Sequence, residues 1–529
     1  MIKSEKKTSN NSFLTGALIL TAGGLLAKIL GAVYRIPLTN LLGTYAMGLY
    51  QLVFPLYTLL ITISMGFTVA VSKEIARAHE LNYCSDCKRI LKCSLVILGS
   101  AGALFTILLY VFSDKIAAVQ GNIQAAMAYK ILSPAIILVC LSSALKGYFQ
   151  GQMKMQPTAI SLVAEQVVKL VLGLALAYRY MPDQIKAVNA SVFAVTASEI
   201  VALLVYLIAF FVKKENTVCM TPVTSKKIIY GRLFKTAIPV TLGGVLLPLS
   251  QLIDSSLILN LISNEATRMY GIWSGPVHSL YAMPVILAGG IAAAILPSIS
   301  GSAAKRNLDS INHKIGMALK LNNVIVMPCV VGFLLLSRPI IKLLYSALPS
   351  SDVVLSAQLL MVTALGTLLL SYSGTITSIL QGLGKEFVSL AFLTISIAIK
   401  TVFSIFLLPN PAVNIFAVAF SLLLCYFVYV TVCAIYLGSK FKIRINIYPV
   451  FTKPLLCCLI MSVPIVLFSV TAADFVNSIR GTILVIVIAV VVYAAAVLVL
   501  KVFEGLSPKQ ISKYIYRGKK HAKTGITAD

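Results

Sequence analysis

Long apolar stretches, each about the length of a membrane-crossing helix, recur from one end of this chain to the other. A helix that crosses the hydrocarbon core of a bilayer needs about 20 mainly apolar residues. The stretches are too long and too uniformly apolar for the alternating strands of a membrane barrel. We therefore predict an all-α polytopic membrane protein with about fourteen transmembrane helices. The fourteen stretches cover residues 13–38, 45–70, 91–112, 127–149, 157–180, 187–212, 234–262, 272–299, 315–337, 353–376, 386–409, 412–438, 447–470 and 478–503.

The overall composition points to the same class of protein. Hydrophobic residues make up 59% of the chain and charged residues 12%, and the mean hydropathy is +0.93. So few polar side chains cannot cover a water-exposed surface, which excludes a soluble enzyme, a disordered chain and a secreted disulfide scaffold. The apolar stretch that follows the basic start at Met1–Lys7 is too long for a cleaved secretory signal. We expect it to remain as the first helix.

The positive charges are distributed unevenly between the connections. The chain has 44 Lys and Arg against 17 Asp and Glu, a net charge of +27. Of the 44, 32 lie in the N-terminal segment, the even-numbered connections and the tail, and 8 lie in the odd-numbered connections. Short cytoplasmic loops hold Lys and Arg, so this pattern predicts that both termini are cytoplasmic. Charge spread over many short loops also disfavours a nucleic-acid partner, and the tail can contact anionic membrane lipids instead.

Two patterns occur twice, in the same order. The pattern A-x3-T-x-G-G-x-L starts at Ala17 and again at Ala237, and the pattern Q-G-x2-K-x14-K starts at Gln150 and again at Gln381. The two offsets, 220 and 231 residues, are nearly equal, which indicates a duplicated unit of six helices. An even number of helices gives both copies the same orientation, so the repeat is parallel. Transporters built in this way hold their substrate between the two lobes near the middle of the membrane.

The repeat also predicts the boundaries of the parts. The last two helices lie outside the repeat and form a separate pair. We expect an N-lobe of helices 1–6 at residues 1–212, a cytoplasmic linker at 213–233, a C-lobe of helices 7–12 at 234–440, a C-terminal helix pair at 441–503 and a basic cytoplasmic tail at 504–529.

Ionisable residues inside the apolar stretches are the candidate functional residues. Placing one charged side chain at the centre of the membrane costs about 3 kcal/mol of insertion free energy, unless the side chain faces protein or water. Lys28 and Arg35 are seven positions apart and share one face of the first helix. Such a face suits an anionic ligand, because Arg can hold phosphate as a fork. The alternative for Arg35 is that it reaches outward to the membrane interface.

The other intramembrane charges allow more than one interpretation. Glu165 and Lys169 have the spacing of an ion pair on one helical face, which either lines a substrate cavity or locks two helices together. The remaining four are candidates for ion coupling or for structural roles. They are Glu199, Asp254, His278 and Lys400.

Recognisable catalytic and nucleotide-binding motifs are absent from the sequence. It contains no G-x4-G-K-[ST] phosphate loop, no H-E-x-x-H pattern and no nucleophile elbow. We therefore expect a transporter without a cofactor, driven by an ion gradient or by the membrane potential. Cys84, Cys87 and Cys93 lie close together near His79, but one C-x-x-C in a short loop is a weak zinc signal. We expect no metal site and no disulfides.

Four short segments of the chain form a recognisable set of motifs. They are Gly48-Leu49-Tyr50-Gln51, Lys146-Gly147-Tyr148-Phe149-Gln150-Gly151, Glu165-Gln166-Val167-Val168-Lys169 and Tyr281-Ala282-Met283-Pro284. With these motifs the chain resembles the stage V sporulation protein B group of the multidrug/oligosaccharidyl-lipid/polysaccharide (MOP) flippase superfamily. The resemblance covers nearly the whole chain.

The resemblance implies a function as well as a fold. It implies two six-helix lobes and a C-terminal pair in the bacterial cytoplasmic membrane, and export of a polyprenyl-diphosphate-linked sugar, with lipid II for the spore cortex as the first expectation. Lys28 and Arg35 match basic first-helix positions of related flippases. Those flippases also carry basic residues in the second and eighth helices, and this chain has no Arg inside either helix. Arg268 lies just before the eighth. Cell-wall synthesis enzymes are the implied protein partners. The alternatives are a flippase for another lipid-linked polysaccharide unit and a cation-coupled multidrug exporter.

The predicted orientation is open to a direct test. Green fluorescent protein fused to either terminus should fluoresce, because it matures in the cytoplasm. Alkaline phosphatase fused after Gly121, in an odd-numbered connection, should be active because it lies outside. Phosphatase activity at a terminus would contradict the orientation derived from the charges.

Overall fold

A computed structural model describes residues 2–81, 83–212, 224–262, 265–443 and 446–502. Within these residues the protein has fourteen long helices and no strand, so the predicted fold class is confirmed. They give thirteen stretches that are long and apolar enough to cross a membrane, because α1 and α2 together form one continuous stretch, Ile19–Glu80. The helices are α1 (Ile2–Leu52), α2 (Phe54–Glu80), α3 (Cys84–Val119), α4 (Ala126–Gly151), α5 (Gln156–Tyr180), α6 (Gln184–Val212), α7 (Lys226–Leu261), α8 (Ala266–Ala304), α9 (Leu308–Leu344), α10 (Ser350–Gly382), α11 (Glu386–Leu407), α12 (Phe416–Phe441), α13 (Tyr448–Thr471) and α14 (Ile479–Val499).

The first helix, α1, turns back on itself at Gly43. The φ angle of Gly43 is +76°, a left-handed conformation that glycine adopts without a steric penalty. The side chains of Tyr34 and Tyr50 interact, although 16 positions of straight helix would separate them by about 24 Å. The second crossing of the membrane therefore begins just after Gly43, as the apolar stretch at 45–70 predicts.

The break between α1 and α2 is stabilised by tyrosines from other helices. Pro55 has no N–H group, so the carbonyl of Gln51 loses its helical donor. The hydroxyl of Tyr270 in α8 lies 3.5 Å from that carbonyl oxygen, and the hydroxyl of Tyr129 in α4 donates to the adjacent carbonyl, that of Leu52, at 3.1 Å. Inside a membrane no water replaces a missing donor, and these side chains do so instead.

The two lobes meet along two helix pairs, α2 with α7 and α1 with α8. The α2–α7 pair is tight, since a Cβ atom on Gly66 would lie 2.8 Å from the carbonyl oxygen of Ala237. Phe67 and Phe234 stack edge to face across the same pair, with ring centroids 5.3 Å apart. The exact lobe boundaries remain a prediction, and most of the predicted linker, residues 213–223, lies outside the described residues.

Hydrogen bonds from α1 to α9 and α10 join the two lobes at the face of the bundle opposite the start of α1, which we call the distal face. Thr44 donates to the buried Asp352 carboxylate at 2.5 Å, and Arg268 also binds Asp352, through Nε at 3.0 Å. Asn40 donates to the carbonyl of Leu344 at 2.7 Å. These contacts, here called the distal closure, seal the lobes together at this face. Arg268, expected just ahead of the eighth helix, lies in the first turn of α8.

Towards the opposite face, where α1 begins, α1 and α8 separate. A Cβ atom added to Gly24, Gly289 or Gly290 would meet no atom within 4 Å. The lobes therefore enclose a cleft that is open at this N-terminal face and closed at the distal face.

The C-terminal pair, α13 and α14, docks on α9 through polar contacts. Pro328 in α9 leaves the carbonyl of Val324 without its helical N–H donor, and the hydroxyl of Tyr493 in α14 donates to it at 2.8 Å. Asn323 donates to the carbonyl of Val450, in the first turn of α13, at 2.7 Å. Hydrophobic packing alone gives little preference between protein and lipid, so these bonds help to fix where the pair docks.

A double-mutant cycle tests the proline-linked bond. Tyr493→Phe should lower the free energy of unfolding by about 1 kcal/mol, a typical size for a hydrogen bond between membrane helices. In the Pro328→Ala background, the backbone N–H of residue 328 can donate to the carbonyl of Val324. Tyr493→Phe should then lower the free energy of unfolding much less. Unfolding measured in detergent micelles gives both values. Equal losses in the two backgrounds would show that Tyr493 does not substitute for the missing donor.

Candidate functional site

A cavity of about 650 Å³ lies in the cleft between the lobes. Its walls come from α1, α2, α5 and α8, and they combine small and aromatic side chains with a group of polar ones. The polar lining residues are Lys28, Arg35, Gln51, Glu165, Gln166, Lys169, His278 and Ser279. The cavity thus brings together five of the eight ionisable residues singled out from the sequence.

Lys28 and Arg35 supply two positive charges to this cavity. Among the described residues, neither is paired with a carboxylate. Arg35 instead donates through Nη1 to Nδ1 of His278 on α8, at 3.1 Å. A guanidinium group can only donate, so this ring nitrogen carries no proton and the imidazole is neutral. The bond crosses from one lobe to the other and orients the guanidinium in the cavity wall.

Glu165 and Lys169 form the ion pair that their spacing predicts, with 3.1 Å between Oε1 and Nζ. Both side chains are mostly buried, with exposures of 18% and 17%. Gln166 donates to the same carboxylate oxygen of Glu165 at 2.9 Å. The charge of Lys169 is therefore largely neutralised by its own helix, unlike the charges of Lys28 and Arg35.

Glu199 lies behind the cavity wall rather than in it. It is buried in α6, where the hydroxyl of Tyr57 donates to it at 3.2 Å, and it interacts with the charges of Lys146 and of the ion pair on α5. Lys146 is not among the candidates singled out from the sequence, although it lies within the predicted stretch 127–149 and within α4. The signal was present in the sequence, since apolar character continues past it through Tyr148 and Phe149.

Asp254 and Lys400 do not line the cavity, because they pair with each other inside the C-lobe. Lys400 binds the Asp254 carboxylate and donates to the hydroxyl of Ser250 at 2.9 Å. Lys400 and Lys169 occupy equivalent positions in the repeat, but their acidic partners differ. Lys169 pairs with a residue of its own helix, whereas Lys400 pairs with Asp254 on α7. The offset of 220 residues places Tyr34 of the N-lobe at the position of Asp254. The acidic residue on α7 has therefore no counterpart on α1, where the cavity forms.

The cysteine-rich segment gives no sign of a metal site within the described part of the chain. Cys87 and Cys93 are both buried, and no group of three potential ligands is found among the residues described. The side chain of Cys84 lies outside them.

The cavity as a whole is positively charged, with three basic side chains and one carboxylate. A guanidinium and an ammonium group without acidic partners favour an anion with several oxygens, such as a phosphate or a diphosphate. The low surrounding dielectric strengthens that preference. The arrangement is suited to binding an anionic headgroup between the lobes.

Comparison with known proteins identifies relatives in Bacillus subtilis (strain 168). The chain is 28% identical to "Lipid II flippase MurJ" over 422 residues, which is 75% of this chain and 77% of the relative. It is 26% identical to "Stage V sporulation protein B" over 427 residues, which is 78% of this chain and 81% of the relative.

Solved structures show the same architecture. Lipid II flippase MurJ in an inward closed conformation matches with a TM-score of 0.70 at 18% identity, covering 95% of this chain and 100% of that one. A multidrug resistance MATE family transporter of the MOP superfamily, in an inward-facing conformation, matches with a TM-score of 0.68 at 15% identity. It covers 80% of this chain and 98% of the transporter. At these identities the two likenesses establish the fold alone.

A family model described as "Polysaccharide biosynthesis protein" matches residues 13–303. The match covers more than half of the chain and includes helices α2 to α7 and most of α1 and α8. The chain therefore belongs to the polysaccharide biosynthesis protein family.

Proposed function

We propose that this protein is a flippase that moves a polyprenyl-diphosphate-linked cell-wall precursor across the membrane by alternating access. The observation that carries the proposal is the pair of cavity charges, Lys28 and Arg35, which have no carboxylate partner among the described residues. The family and the two named relatives support a lipid-linked glycan as the substrate class. Lipid II is the first candidate, and its use in the spore cortex is the more specific form of the proposal.

The chemistry of such a substrate matches the cavity. A diphosphate presents several anionic oxygens, which Arg35 can bind as a fork and Lys28 as a point charge. Lys169 adds a third, partly neutralised charge. Gln51 and Gln166 offer amide groups that can bind sugar hydroxyls. The polyprenyl chain is apolar and can remain in the lipid while the headgroup occupies the cavity.

The shape of the bundle suggests how transport proceeds. The cleft is open at the N-terminal face, and the distal closure seals the other face. We infer from the charge distribution that the N-terminal face is cytoplasmic. A headgroup therefore enters from the cytoplasmic leaflet. Release on the other side requires the bonds between the lobes, Thr44 to Asp352 and Asn40 to Leu344, to break while the lobes close at the N-terminal face. Rocking of two parallel lobes about a fixed site accomplishes both changes.

The structure disfavours a cation exporter, although the MATE transporter shares its fold. Such an exporter needs a carboxylate available to an organic cation. Glu165 is paired with Lys169, and Asp254 is paired with Lys400 away from the cavity. The family description leaves a flippase for another lipid-linked polysaccharide unit as the nearer alternative.

Transport measured in proteoliposomes tests the proposed function. The intact protein should translocate lipid II, and Lys28→Ala/Arg35→Ala should reduce the rate at least tenfold, since two charge-assisted bonds to the diphosphate are lost. The matched control is Lys115→Ala/Lys186→Ala, which removes two positive charges outside the cavity and should leave the rate unchanged. Assays with and without an imposed membrane potential identify the driving force.

Other outcomes of the transport assay are equally informative. A double variant that transports normally would remove Lys28 and Arg35 from the site. Folded intact protein that fails with lipid II but moves another polyprenyl-diphosphate glycan would correct the substrate and retain the mechanism. Export of cationic dyes that is lost in Asp254→Asn would replace the proposal with the exporter.

The Glu165–Lys169 pair gives a second prediction. Glu165→Gln leaves the Lys169 ammonium buried without its counter-ion, and should lower the free energy of unfolding by about 2–3 kcal/mol. Glu165→Leu/Lys169→Met removes both charges and should recover most of that loss. Thermal unfolding in micelles measures both variants. A double variant no more stable than the single one would mean that the two charges are not coupled.

A further inference from the structure

A second cavity lies in the N-lobe, on the outside of the bundle. It occupies about 450 Å³ between α3, α4 and α6, and its walls are almost entirely apolar. Leu145 of α4, Leu203 of α6 and Phe210 of α6 are among the wall residues. Two lysines of α3, Lys88 and Lys92, complete the lining. We call this feature the α3–α6 crevice.

The two lysines form a small positive patch with no acidic partner among the described residues. Lys88 and Lys92 are four positions apart, so they lie on one face of α3, and both are exposed. Neither takes part in an ion pair among the described residues. The nearby carboxylate of Asp86 is buried and is occupied by Thr224, which donates to it through both its hydroxyl and its backbone N–H. The patch is therefore available to an anion from outside the chain.

The position of the crevice relates it to one leaflet of the membrane. Helix α3 begins and helices α4 and α6 end at the N-terminal face. Lys88 lies about one turn from the start of α3, which is the level of lipid headgroups. Leu203 lies nine positions before the end of α6, about 13 Å from that end at 1.5 Å per residue, against about 6 Å for Lys88 from the start of α3. Lys92 lies one turn deeper than Lys88, and its long side chain can extend back to the same level. The crevice thus has a charged mouth at headgroup depth and an apolar interior at acyl-chain depth.

We propose that the α3–α6 crevice binds an anionic glycerophospholipid of that leaflet, such as phosphatidylglycerol. Its phosphate meets the ammonium groups of Lys88 and Lys92, and one acyl chain lies along the leucine and phenylalanine walls. If the crevice were empty, its apolar wall atoms would have no dispersion contacts on that side. An acyl chain inside the crevice supplies those contacts and is therefore favoured. The lysines select a lipid with net negative charge over a zwitterionic one. This site is separate from the central cavity and does not depend on what the protein transports.

Lipid binding by the full-length protein tests the proposal. Purified protein in micelles is titrated with dioleoylphosphatidylglycerol or dioleoylphosphatidylcholine, and bound lipid is counted by native mass spectrometry. Lys88→Gln/Lys92→Gln should weaken phosphatidylglycerol binding about tenfold or more, because both positive charges near the phosphate are lost, and leave phosphatidylcholine binding unchanged. The charge-matched control is Lys226→Gln/Lys227→Gln, which lies at the same face in α7. This control variant should bind phosphatidylglycerol with an affinity within twofold of that of the intact protein.

A second variant separates the crevice from a general surface charge effect. Leu203→Trp fills the interior and leaves both lysines in place, and it should also weaken phosphatidylglycerol binding. Melting temperatures close to that of the intact protein identify variants that are folded. Unchanged phosphatidylglycerol binding in folded forms of both variants would overturn the proposal. Displacement of phosphatidylglycerol by an equal concentration of undecaprenyl phosphate would also overturn the proposal, because the crevice would then hold the tail of a substrate-like lipid.

Discussion

The hydrocarbon core of a membrane contains no water, and this single constraint explains most of what holds the structure together. Every backbone carbonyl that a proline leaves without a donor must find one within the protein. Tyr270 serves the carbonyl freed by Pro55, and Tyr493 serves the one freed by Pro328. The first contact joins α8 to the break between α1 and α2, and the second fixes the C-terminal pair on α9. Local defects in helices thus become specific contacts between helices.

The same constraint sorts the buried charges into structural and functional ones. Inside a lobe, a charge without a partner costs far more than a paired one, so Glu165 lies against Lys169 and Asp254 against Lys400. Lys28 and Arg35 face a cavity that can admit a ligand, so they need no such partner in the protein. The duplicated scaffold has placed its available positive charges in the N-lobe, and this asymmetry makes the cleft suitable for an anion.

Much of the fold could be predicted because its signals are local. The apolar stretches gave the number of helices, and the seven-residue spacing placed Lys28 and Arg35 on the same cavity. Lys146 was not singled out, and Arg268 was placed ahead of the eighth helix, because charged residues near the ends of apolar stretches usually lie in connections. In the structure each has a reason to be helical: Lys146 interacts with the acidic residues Glu165 and Glu199, and Arg268 binds Asp352. Neither partner is near in sequence.

The sequence by itself determined the membrane class, the helix count and the parallel repeat, because these follow from the length of apolar segments and from similarity along the chain. The tertiary structure alone decided which charges that are far apart in the sequence meet. Asp254 pairs with a lysine 146 positions away, and Thr44 reaches a carboxylate 308 positions away. It also decided that the cleft is closed at the distal face and open at the other. Such choices depend on how helices pack in three dimensions, where a charge takes the nearest partner in space rather than in sequence.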